Sequence, residues 1–299
     1  MTTATAPAGR IPRLVDGTVS LVRDIAAKPT GLFALVLLAI LAVAVVFAPL
    51  AAPYDPAAQD TANRLQGPSG QHLLGTDHLG RDLLSRAIFG ARIALGVAIP
   101  AGVLALAVGL VLGLVGGYLG GRTDNVLVVL MDSMQAFPAV ILALALLALL
   151  GPSLRNVIIV VAITFAPAYA RMARASVFVI REEPYIEAER SLGAGDARIV
   201  LTHLLPNVVA PLFILMAINV PVAVTIEAGL SFLGLGVPPP EPSWGVMLAD
   251  SRRYVYTTPW PMLVPSFALI ITTLGFTLLG EALRDRLDPR LSGAGGPGE

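Results

Sequence analysis

The sequence predicts an all-α polytopic membrane protein with six transmembrane helices. Three observations carry that reading. Of 299 residues 56% are hydrophobic, with a mean hydropathy of +0.78. Only 13% are charged, about half of the roughly 25% of an ordinary soluble domain. Uncharged runs of about 20 residues, the length a helix needs to cross a bilayer, recur along the chain.

The first span is read over residues 31–52, which carry no charge. Its 22 residues exceed the roughly 7–15 of a signal-peptide core, and Arg10, Arg13, Arg23 and Lys28 before it read as a cytoplasmic anchor. Residues 53–92 follow as an extracellular loop. Within that loop Leu83, Leu84, Ala87 and Ile88 oppose Arg81, Asp82, Ser85 and Arg86, the pattern of an amphipathic helix lying on the outer membrane surface. The second span runs over 93–118 and the third over 125–150, with Asp132 inside it. The fourth covers the uncharged stretch 156–170 and continues through Arg171 and Arg174 toward the cytoplasm. The fifth, 208–234, contains Glu227, and the sixth covers 261–280. Trp244, Tyr254, Tyr256 and Trp260 gather before the sixth, as headgroup-level anchors do.

Placing the N-terminus inside puts thirteen of the twenty Lys and Arg residues on the cytoplasmic side. The positive-inside rule therefore favours both termini in the cytoplasm. The organisation read from the sequence is a cytoplasmic tail (1–30), the first span, the outer loop, a core of five helices over 93–283 with a cytoplasmic loop at 181–207, and a second tail (284–299).

Composition excludes several functions. Net charge is zero, which argues against the basic footprint of a nucleic-acid binder. There is no cysteine, hence no disulfide, thiolate metal site or cysteine nucleophile. Lys28 is the single lysine and no glycine-rich G-x-x-x-x-G-K-[ST] loop surrounds it, so the chain has no P-loop of its own.

The most informative segment is "YIEAERSLGAGDARIVLTHLLPN" (185–207). Pro184 suits the first turn of a helix. Tyr185, Ala188 and Leu192 then recur at helical spacing as an apolar stripe among Glu187, Glu189 and Arg190. Gly193 suits a left-handed helix end. Asp196 reads as the N-cap of a second helix, and Pro206 with Asn207 as the return toward the fifth span. The segment is either a solvated connection or a docking element with one exposed apolar stripe.

Its residues resemble the EAA signature of ABC-importer permeases, with Glu187, Ala188, Gly193, Leu205 and Pro206 at the signature positions. Glu189 stands where the signature has a second alanine, and His203 where isoleucine is common. "HLLGTDHLGRDLLSRAIFGARIAL" (72–95), "EAGLSFLGLG" (227–236), "PSWGVML" (242–248) and "GEALRDRLDPR" (280–290) are similar to the C-type subunit of the dipeptide, oligopeptide and nickel branch. Glu281 and Ser266 depart from residues common there.

The resemblance implies the type I ABC importer permease fold and a non-catalytic cell-membrane subunit forming half of a translocation path for short peptides. It also implies partners: a second permease subunit, two ATP-binding domains that hold ATP and Mg, and an extracellular substrate-binding protein. This chain itself would carry no cofactor. A nickel or other small-solute importer is the alternative cargo reading. In this family the EAA loop is the coupling helix that docks on the ATP-binding subunit, a role the resemblance assigns here to Glu187, Ala188 and Gly193.

Other residues have weaker claims. Asp132 and Glu227 are ionisable groups inside spans, where charge is costly and marks function by default; both a pathway and a structural role remain open. His72, Asp77 and His78 are too few and too unconstrained for a metal site. The 81–92 stretch reads as a plain surface helix or as a contact for the extracellular binding protein. An intramembrane serine protease is disfavoured, because "GLSFLG" does not fit G-x-S-x-G and no histidine lies in a span. A secondary transporter or channel would use the buried acids but leaves the charged hairpin unexplained.

Overall fold

The computed structural model describes residues 22–287, with side chains described through 285. The tails read over 1–30 and 284–299 lie largely outside the described residues, as do Arg10, Arg13 and Arg290. Every long element among the described residues is a helix.

Helix α1 (Pro29–Val46) begins with proline at its first turn and packs along the last helix, α11 (Trp260–Leu287). Gly275 of α11 faces Leu38 of α1, and Lys28 Nζ bonds Asp285 Oδ2 at 2.8 Å where the two helices end. A short helix α2 (Ala48–Ala51) leads into the outer loop.

Helix α3 (Leu83–Leu119) differs from the expectation. The stretch read as a separate amphipathic surface helix is the first turns of one 37-residue helix, capped by Asp82, whose carboxylate accepts from Ser85 N at 2.8 Å. Its polar side does not face water. Arg86 is 1% exposed, with Nη1 donating to Pro56 O at 3.1 Å and Nε lying 3.5 Å from Asp77. Arg81 bonds Asp77 at 2.6 Å and reaches Asp250 at 3.3 Å. The charges are buried because they pair with one another and with loop carbonyls, as buried charges must.

The third span is broken. Helices α4 (Gly121–Gln135) and α5 (Ala139–Leu150) meet at 92°. Pro138, which lacks an N–H and pushes the preceding residue out of helical geometry, sits at the break. Among the described residues five helices are long and apolar enough to cross a membrane, and the bent pair, if counted as one span, makes six.

Helix α6 (Leu154–Arg181) confirms the continuation through Arg171 and Arg174, and its main partner is α3. Gly109, Gly113 and Gly117 place a bare backbone against α6 once per turn. A Cβ at Gly113 would stand 2.6 Å from Ala170 O, and one at Gly117 2.8 Å from Val177 Cβ. This small-xxx-small spacing permits close helix approach within a membrane. Helix α7 (Pro184–Ser191), a turn, α8 (Asp196–Ile199), a π-helical segment (Val200–Leu204) and α9 (Leu205–Phe232) follow, with α10 (Trp244–Ser251) before α11. Helix α9 packs on α3, α6 and α11 and so closes the bundle.

Candidate functional site: the hairpin between α6 and α9

The hairpin is a short helix, a tight turn and the projecting end of a long helix. Pro184 opens α7. Gly193, at φ +86°, ends it in the left-handed region, with its N–H bonded to Arg190 O and Ala194 N bonded to Glu189 O. The second arm differs from the expectation in two ways. Gly195, not Asp196, occupies the cap position, and Asp196 is the first helical residue, accepting a 2.6 Å hydrogen bond from Tyr118 Oη at the end of α3. The return toward the fifth span at Pro206 and Asn207 is also not a separate turn, because the π-helical segment ends directly before Leu205 and the helix runs on through Pro206. The arm passes through the π-helical segment into α9, making one helical path from Asp196 to Phe232.

Two faces result. Ile186, Ile199 and Leu204 are fully buried and seat the hairpin on the bundle. Outward lie Tyr185, Glu187, Ala188 and Leu192, the last 86% exposed, with Leu201 on the second arm. The stripe expected from the sequence is thus the exposed one. Among the signature residues, Glu187, Ala188 and Gly193 share the first arm and its turn. Leu205 and Pro206 stand apart from them, at the start of α9.

The two departures from the signature meet each other. Glu189 Oε1 lies 3.6 Å from His203 Nε2 and Glu189 Oε2 lies 3.9 Å from Arg198 Nε, while the His203 ring packs against Tyr185 at 5.7 Å. Glu189 therefore sits between the two arms, within 4 Å of a basic group on the second.

Sequence reasoning missed Ile186 and Ile199 as the seat, and it missed Tyr118. A helix of two turns offers too few residues for periodicity to tell the packed side from the free one. Tyr118 lay in a span read only as membrane-crossing.

The acids within the spans differ in environment. Asp132 Oδ1 accepts from Arg171 Nη2 at 2.7 Å, and both side chains are more than half exposed on this chain. Nearer the start of α4, Asp124 receives a bidentate pair from Arg174, whose guanidinium also covers Phe178. Glu227 is fully buried: Ser231 and Ser243 donate to its Oε1 at 2.7 and 2.9 Å, tying α9 to the turn before α10. Beside it Trp244 donates to Ala87 O at 3.0 Å and lies against Gly90. The three stretches "IFGA", "EAGLSFLGLG" and "PSWG" therefore meet in one cap over the end of the bundle opposite the hairpin.

His72 pairs with Asp82 at 3.0 Å, Asp77 with Arg81, and His78 stacks on Tyr254. Among the described residues no group of three or more His, Asp or Glu side chains is arranged to hold a metal.

A helical bundle with a two-faced hairpin between its fourth and fifth spans coincides with a known family. The family described as "Binding-protein-dependent transport system inner membrane component" matches residues 105–293. The chain belongs to that family. A second family, "N-terminal TM domain of oligopeptide transport permease C", matches residues 21–68.

Three relatives bear out this placement in the importer permeases. The dipeptide transport system permease protein DppC of Alkalihalophilus pseudofirmus is 40% identical over 82% of this chain and 81% of its own length. The glutathione transport system permease protein GsiD of Shigella flexneri is 44% identical over 85% and 84%. The nickel transport system permease protein NikC of Escherichia coli is 42% identical over 86% and 93%. Among solved structures, a chain of the MetNI methionine ABC transporter in an inward-facing conformation aligns with a TM-score of 0.54 at 21% identity, covering 69% of this chain and 97% of that one. An amino acid ABC transporter aligns at 0.53 and 18% identity, over 68% and 95%. These two establish the shared fold. The protein is a multi-pass membrane permease subunit of the ABC-importer type.

Proposed function

We propose that this permease forms half of the translocation path for short peptides and that its hairpin is the element through which ATP-binding subunits drive it. The observation that carries the coupling role is the hairpin's free face: Tyr185, Ala188 and Leu192 are exposed on a segment whose opposite side is fully seated. An apolar face of this kind, ringed by Glu187 and Arg190, suits burial in a groove of a partner subunit. Glu187, Ala188 and Gly193 would lie in that contact, with Leu205 and Pro206 at its root. A second permease subunit, two ATP-binding domains holding ATP and Mg, and an extracellular binding protein complete the working complex. The excess of basic residues on the hairpin side supports placing both termini in the cytoplasm.

Peptide cargo is favoured by the relatives named for dipeptides and glutathione. The relative named for nickel supports a second reading of comparable weight. Uptake of a labelled dipeptide and of radioactive nickel, in cells with and without the chain, separates them. Loss of dipeptide uptake is expected, and loss of nickel uptake alone overturns the peptide reading. Coupling is tested by mild-detergent purification of Leu192→Glu beside the native chain. The variant is expected to lose the ATP-binding subunits, and their full retention overturns the docking role of this face.

A further inference from the structure

The last turn of α3 gathers side chains from three separate segments. Arg181, closing α6, donates from Nη1 to Gly117 O at 2.8 Å. Arg190, on the first arm of the hairpin, holds its guanidinium 5.8 Å from the centre of the Tyr118 ring. Asp196, opening the second arm, accepts from Tyr118 Oη at 2.6 Å. A cation over an aromatic face and a charge-assisted hydrogen bond on the same phenol constrain it in two directions.

Immediately beyond, Gly120 and Gly121 adopt φ +65° and +56° and turn the chain into α4. Behind Tyr118, the glycine seam fixes α3 to α6 along three turns. The first arm leaves α6 through the chain itself. The second arm meets the end of α3 at the Tyr118 to Asp196 bond, below the point where α9, its continuation, packs on α3.

We propose that Tyr118 is a positioning residue for the transport cycle: it ties the second arm of the hairpin to α3, so that displacement of the hairpin moves α3 and the start of α4 together with α9. This rests on the coupling role proposed above. The bond is exposed to water, which competes for both partners and keeps its net contribution to stability small. Its effect is on which helices move as one, and removing it is expected to leave the fold intact.

The chain contains no cysteine, so it adds no background of its own to two introduced labels. Val103→Cys on α3, 52% exposed, and Ala197→Cys on the second arm carry spin labels in the complex purified from native membranes. Their separation is measured without nucleotide and with ATP plus vanadate. With Tyr118 present the separation is expected to stay constant. In Tyr118→Phe it is expected to shift between the two states by more than the roughly 1–2 Å of an ordinary interface adjustment. Asp196→Ala should reproduce that shift. Asp196→Asn, which keeps an accepting oxygen, should restore the constant separation.

A Tyr118→Phe separation that stays constant in both states overturns the proposal. So does a native separation that already shifts with nucleotide. Both Tyr118→Phe and Asp196→Ala should retain the ATP-binding subunits; their loss would mean that Tyr118 serves docking, which also overturns it. Failure of the coupling reading has a different signature, namely Leu192→Glu retaining those subunits. A native chain that purifies with no ATP-binding subunit overturns both.

Discussion

Gly113 lies at the centre of the seam between α3 and α6, and its replacement by alanine tests whether the two backbones are in contact. The added Cβ would stand 2.6 Å from Ala170 O and 2.8 Å from Arg174 N, where ordinary contacts begin at 3.4 Å. It would stand closer still to Ala173 Cβ, and neither that atom nor the two backbone atoms can rotate aside, so α3 must withdraw by about 1 Å. Overpacking of this kind costs about 1–3 kcal/mol. Gly96 is the control, since it lies on the same helix with nothing within 4 Å of its added Cβ. There alanine gains helix propensity of about 1 kcal/mol, so the two substitutions should have opposite signs. The assay is reversible unfolding of the purified chain in mixed detergent and SDS micelles, followed by far-ultraviolet circular dichroism. Gly113→Ala should unfold at lower SDS fraction than the native chain, and Gly96→Ala at the same or higher fraction. Equal midpoints for the two variants would refute backbone contact along the seam.

Glu189→Ala should leave the amount of co-purified ATP-binding subunit unchanged, because Glu189 faces His203 and Arg198 across the hairpin; a loss matching that of Leu192→Glu would place Glu189 in the docking face instead. Glu227→Ala strands two buried hydroxyls at about 1–3 kcal/mol each, whereas Glu227→Gln keeps the accepting oxygen and should unfold much closer to the native midpoint in the same SDS titration. Asp124→Ala removes the hydrogen-bonded charged partner of Arg174 and should cost about 1.5–3 kcal/mol. Asp132→Ala, whose pair with Arg171 is exposed on the isolated chain, should stay within about 1 kcal/mol.

The spans were legible because a bilayer tolerates few sequences: each crossing segment must be long, apolar and nearly uncharged. Less legible was the break between Gln135 and Ala139. No charge stands between Gln135 and Ala139 to mark it, and Pro138 was the one local signal. The 81–92 stretch misled for a different reason. Alternating charge and leucine looks the same whether the polar side meets water or a folded loop, and only the positions of Asp77, Pro56 and Asp250 decide that Arg81 and Arg86 are buried.

At the hairpin, the turn at Gly193 and the stripe of Tyr185, Ala188 and Leu192 followed from local chemistry. The pairing of Glu189 with His203 did not, since no helical period joins positions fourteen residues apart on two arms. Tyr118 was hidden further still, 78 residues from the aspartate it bonds.

The bond between Lys28 and Asp285 has a practical consequence. It brings the beginning and end of the described chain to one spot, at the foot of the helix pair α1 and α11. Helix α1 leans mainly on α11 and is only 11% buried, so it is the crossing segment least bound to the rest. Fluorescent proteins fused to the two tails would sit within energy-transfer range while α1 stays docked. Their signal would report, in living cells and without any labelling chemistry, whether that outlying helix rides with the bundle or parts from it as the transporter works.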